Sequence, residues 1–91
     1  SMSKSTNYSE TYNLERVGSQ LIGTEFTFIL SERLTTTKKK GYLFILNLKG
    51  KTREYISSLY PTSTPDTYKF DYKGNNYTLF LGKENAILKA L

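Results

Sequence analysis

The chain predicts an α+β fold: a small antiparallel sheet of four to five strands with an N-terminal helix and a short C-terminal helix. Three patterns predict it. Leu14, Val17 and Leu21 recur at i, i+3 and i+7, the spacing of an amphipathic helix. Residues 68–81 alternate large and polar side chains around Lys73-Gly74-Asn75-Asn76, the pattern of a hairpin. Ile87, Leu88 and Leu91 share one side of a short helix that follows Gly82.

Residues 1–8 read as a flexible polar N-terminus, with Ser1 ahead of Met2 as the remnant of a cleaved tag, and residues 9–91 as a single domain. The first helix is capped by Ser9 or Thr11, carries Glu10 in its first turn and stops at Gly23. Gly18 inside it costs about 1 kcal/mol against Ala. Thr24 to Ser31 alternates as a strand, with Phe26, Phe28 and Leu30 on one face. Thr35 to Gly41 is polar without a period and reads as a projecting loop. Tyr42 to Leu48 is almost continuously apolar, as in a central strand covered on both faces, and Lys49-Gly50-Lys51 is a tight turn. Thr52 to Tyr60 fits a helix, with Tyr55, Ile56, Leu59 and Tyr60 at helical spacing and Pro61 as its stop; the alternative is the return strand of a hairpin through Gly50. Pro61 to Asp66 is a loop. In the last hairpin, a two-residue turn at Gly74-Asn75 pairs Tyr72 with Tyr77 and Phe70 with Leu79, which puts every large residue except Phe80 on one face.

Ninety-one residues make one domain, small enough to bury only about 60–65% of the surface its unfolded chain exposes. Eight Tyr and five Phe supply core area that a 37% apolar content otherwise lacks. The absence of Cys and His excludes disulfides, thiolate chemistry and the zinc and haem sites built on those ligands. It also leaves a Ser or Thr nucleophile without an imidazole base. The eight acids are scattered, and Gly82-Lys83 lacks both the upstream glycine and the following Ser or Thr of a phosphate-binding loop. The sequence therefore predicts a non-enzyme without cofactor or metal. Its longest apolar run, Tyr42 to Leu46, is too short for a signal peptide or a membrane span, so the expected location is cytoplasmic with no membrane partner. Residues with AT-rich codons number 35 against 13 with GC-rich codons, the bias of a low-GC bacterium or its phage or plasmid, and it raises Lys, Tyr and Asn independently of function.

The net charge of +5 is a property of one segment. Arg33, Lys38, Lys39, Lys40, Lys49, Lys51 and Arg53 fall within 21 residues that hold no acid, while the rest of the chain nets −2. Such a cluster is the footprint expected for a polyanion, and Tyr42, Phe44 and Tyr55 are interleaved with it or adjoin it. Cations neutralise phosphates and aromatic rings stack bases. The expected function is thus a binding module for nucleic acid, single-stranded because no recognition helix rich in Arg, Asn or Gln appears. The candidate nucleic-acid-binding residues are Arg33, Lys38, Lys39, Lys40, Tyr42, Lys49, Lys51, Arg53 and Tyr55. The alternative is an accessory subunit of a larger protein complex, possible in a phage or mobile element, docked through the apolar end of the C-terminal helix from Glu84 to Leu91.

Overall fold

A computed structural model describes residues 10–24, 26–37, 41–47 and 52–91, and of residues 35–37, 44–47 and 52 the backbone alone. The chain is all-β rather than α+β. Eight strands close into an antiparallel barrel in which each pairs with the next and the last returns to the first. In order they are β1 (Glu10–Val17), β2 (Gln20–Ile22), β3 (Thr27–Leu30), β4 (Gly41–Asn47), β5 (Thr52–Pro61), β6 (Thr67–Tyr72), β7 (Asn75–Leu81) and β8 (Asn85–Ala90), with one short helix, α1 (Glu32–Thr37), between β3 and β4.

Period-two alternation builds the interior. Leu14, Leu21, Phe28, Leu30, Leu43, Leu59, Tyr68, Phe70, Leu79 and Leu88 are all buried in one cluster. Eight strands enclose a space just wide enough for such side chains to fill. Closure also removes the exposed strand edges that invite aggregation.

The predicted N-terminal helix is a strand and half of a hairpin. Gly18, at φ +63°, and Ser19 turn the chain, so Leu14 on β1 and Leu21 on β2 reach the same interior from neighbouring strands. Their separation of seven imitates a helix because the turn lies between them. Val17, the third member of that stripe, is 54% exposed. The predicted C-terminal helix is β8, which seals the barrel against both β7 and β1. Its inward residues are Ala86, Leu88 and Ala90; two small alanines hid the alternation, and Leu91, expected to face inward, is 77% exposed.

Thr52 to Tyr60 is β5, not a helix. A bulge lies opposite the step from Leu43 to Phe44: Leu43 pairs with Ser57 but Phe44 with Tyr55, leaving Ile56 as the extra residue. The bulge shifts the phase of alternation, so no single strand register explains the apolar positions on both sides of it. The predicted strand through Phe28 and Leu30 forms as β3, and the strand from Tyr42 forms as β4. Coverage on both faces does not hold at Tyr42, which is 40% exposed. The loop predicted from Thr35 begins instead as the end of α1, while the segments predicted as a flexible N-terminus and as a turn at Lys49-Gly50-Lys51, and Lys38–Lys40, lie outside the described residues.

The β6–β7 hairpin forms with a register two residues away from the expected one. Its turn is Lys73-Gly74, with φ of 49° and 80°, and it pairs Phe70 with Tyr77 and Tyr68 with Leu79. Two successive positive φ values are the twist-matched turn for a two-residue hairpin. A slip of two preserves parity, so the inward face is the predicted one.

Helix α1 closes one end of the barrel. Ser31 precedes it, and its Oγ accepts from the backbone N–H of Leu34 at 3.4 Å and of Tyr42 at 3.0 Å, tying the helix start to β4. Leu34 is 1% exposed and packs so tightly on Gly41 that a Cβ there would sit 2.5 Å from the Cβ of Leu34.

Candidate functional site: the open mouth and the outer face of β4 and β5

The two ends of the barrel differ. At the α1 end, the Arg16 guanidinium donates to the carbonyl oxygens of Gly82 at 2.8 Å and Gly18 at 3.2 Å, holding two turns together. Tyr68 lies below them. Burial lifts its phenol above the ordinary range, Asp66 pushes it the same way, and Arg16 opposes them.

Among the described residues, the opposite end is open. Here β1, β6 and β8 present the ends away from α1, and a cavity of about 550 Å³ descends between the strands. Seven rings line it: Tyr12, Phe26, Phe28, Tyr55, Phe70, Tyr72 and Tyr77. Among them two groups pack together. Phe26 meets Tyr12 edge-on at 5.9 Å and Phe28 at 4.7 Å, while Phe70 stacks on Tyr77 at 4.9 Å with 11° between the planes. By strand order, β3 lies across the barrel from β7, so the two groups stand on facing walls. Ile56 and Leu88 complete the apolar lining, and Glu54 is the one charged residue among the described residues that line it. A concave, mostly apolar site with a few polar groups, here tyrosine hydroxyls and one carboxylate, is the usual form of a small-ligand pocket, and barrel mouths are a frequent place for one.

A second concavity lies outside the wall. Tyr55, Ser58 and Tyr60 of β5 face outward with Tyr42 of β4; the Tyr42 and Tyr55 ring centroids are 6.2 Å apart, and the Tyr55 hydroxyl lies 3.3 Å from Ser58 Oγ. Tyr55 and Tyr60 are 59% and 51% exposed. A groove of about 440 Å³ runs from these residues to Lys69 and Asp71 on β6.

The mouth and the groove meet. Tyr55 and Phe70 line both. The β5–β6 ladder consists of two pairs, Tyr60 with Lys69 and Pro61 with Tyr68, at the α1 end. Among the described residues, 54–58 of β5 and 70–72 of β6 are not paired with each other, so the β5–β6 ladder stops short of the mouth.

Of the residues the sequence singles out, the structure brings Tyr42 and Tyr55 together on this outer face, with the exposed Arg53 two positions from Tyr55 on the same side of β5. Arg33 is exposed on α1, at the other end of β4 from the partner position of Arg53. Lys38, Lys39, Lys40, Lys49 and Lys51 lie outside the described residues. Sequence reasoning missed Tyr60, Lys69, Glu54 and the ring-lined mouth. Tyr12, Phe26, Tyr72 and Tyr77 each stand near a strand terminus, a signal readable only once the strand ends are known.

Among the described residues no group of three or more acids could hold a metal ion. The fold and the site together define a small up-and-down β-barrel, capped by a helix at one end and, among the described residues, open at the other. Comparisons with protein-family models, with curated proteins and with solved structures find no match to this chain.

Proposed function

We propose that this barrel is a non-catalytic binding module that holds single-stranded nucleic acid across the outer face of β4 and β5. The observation that carries the proposal is the exposed ring pair Tyr42–Tyr55, extended along β5 by Tyr60. Solvent-facing rings on one strand face make a stacking platform for unpaired bases, each worth about 1–3 kcal/mol. Arg53 on β5 and Lys69 on β6 flank that platform and supply phosphate partners, in a chain whose seven cations from Arg33 to Arg53 are unbroken by an acid. Duplex readout is disfavoured, because α1 has six residues and is anchored by the buried Leu34 rather than projecting to enter a major groove. Docking of the chain as an accessory subunit through a C-terminal helix loses its basis, since that segment is β8.

The test is fluorescence anisotropy of a labelled single-stranded oligonucleotide at two or more salt concentrations. Affinity falls with salt, with a log–log slope of about −0.7 per phosphate neutralised. Tyr42→Ala and Tyr55→Ala each weaken binding by about five- to a hundredfold, the equivalent of about 1–3 kcal/mol, and leave the circular dichroism spectrum unchanged because both rings are exposed. A flat salt response, or binding indifferent to both substitutions, overturns the proposal in favour of a protein partner.

A further inference from the structure

We infer that the barrel mouth is a pocket for one nucleobase carrying an exocyclic amino group, admitted through the gap between β5 and β6. The inference rests in part on the proposed function, because the base reaches the mouth from a strand lying on the outer face.

Three observations converge. The cavity of about 550 Å³ is bounded by aromatic groups on facing walls, Phe26 and Phe28 against Phe70 and Tyr77, which suits a flat ring. The charged lining residue is a carboxylate, Glu54, which accepts N–H donors and repels anions. That selects an amino-bearing heterocycle and disfavours a fatty acid or a phosphate inside the barrel. Finally, ladder pairing between β5 and β6 is missing where the selection needs a door. Tyr55 and Phe70 border both the groove and the mouth, and the β5–β6 ladder stops at Tyr60 and Lys69.

Alternation along β5 then divides the work. Arg53 stays outside with the phosphates, Tyr55 stands at the border between groove and mouth, and Glu54 and the bulged Ile56 line the mouth. A base from an already single strand is splayed into such a pocket without breaking a duplex.

Cytosine and thymine separate the idea from simple stacking. They are of equal ring size, and cytosine carries an amino group where thymine carries a carbonyl. The experiment measures the affinity of the intact protein for labelled dC and dT oligomers of one length, alongside calorimetry with free cytidine and thymidine. The expected result is dC bound about tenfold tighter than dT, in line with about 1–3 kcal/mol of discrimination per well-made base contact. Glu54→Ala brings the two within about twofold. Ile56→Trp, which fills the mouth, does the same while circular dichroism reports the fold. Because Glu54 is exposed, its substitution keeps the test decisive even where the tryptophan variant fails to fold.

Equal binding of dC and dT, weakened by Tyr55→Ala and indifferent to Glu54→Ala, overturns the pocket and leaves the outer-face platform standing. Cytidine bound in preference to thymidine, with no oligomer bound, supports the pocket with a free nucleoside as its occupant and overturns the platform. Absence of binding to any of the four overturns both.

Discussion

Tyr68 shows how one buried side chain links stability to pH. It is 3% exposed, and burial, reinforced by Asp66 and opposed by Arg16, raises its phenol above the ordinary value of 10.0. Below pH 10 the phenol is neutral in folded and unfolded chains alike, and its contribution to stability is fully present. As pH rises past that value the unfolded chain ionises first, the folded chain binds more protons, and stability falls. Melting temperatures measured from pH 8 to pH 11.5 should therefore decline more steeply for the wild-type chain than for Tyr68→Phe. Parallel declines in the two proteins would show that Tyr68 is not the linked group. At the same scale, Glu54 and Tyr55 are adjacent in sequence and divided by the wall of the barrel, one lining the mouth alone and the other bordering both concavities.

The β6–β7 hairpin carries the most direct link from local sequence to an element. Its Lys73-Gly74 turn places both residues at positive φ, and open space surrounds the Cβ position of Gly74. Gly74→Ala therefore costs backbone strain alone, about 1–2 kcal/mol, while Gly74→Asn costs less. Urea denaturation of the two variants checks the order; equal stability would argue against this turn. The hairpin was legible in the sequence because Tyr68, Phe70, Tyr72, Tyr77 and Leu79 alternate without interruption. β1, β5 and β8 were not, each for its own reason. Leu14 and Leu21 straddle a turn at helical spacing. Ile56 inserts a bulge that breaks the alternation of β5. Ala86 and Ala90 face the interior but are too small to register as an apolar stripe. Periodicity read over a short window does not separate these cases from helices, because the missing information is which strand lies alongside. The candidate site was legible to the extent that Tyr42, Arg53 and Tyr55 belong to one face. The mouth was not, since its rings come from β1, β3, β5, β6 and β7 and from the approach to β3, and only barrel closure assembles them.

At the scale of the molecule, closing the sheet gives a 91-residue chain an enclosed interior and two unlike ends. One end is occupied by α1, anchored by Leu34 on Gly41. The other keeps a cavity that the described side chains do not fill, beside the stretch where β5 and β6 are unpaired. A charged, aromatic outer face next to an aromatic mouth is the arrangement from which a strand-binding function follows. The most direct measurement is an amide chemical-shift map of the isotope-labelled protein titrated with a dC oligomer at low salt. The account predicts that the largest shifts fall on Tyr42, Arg53, Glu54, Tyr55, Ser58, Tyr60 and Lys69, and that residues of the α1 end, such as Arg16, Leu34 and Gly82, stay in place. Shifts concentrated at that closed end, or none at saturating oligomer, would contradict it.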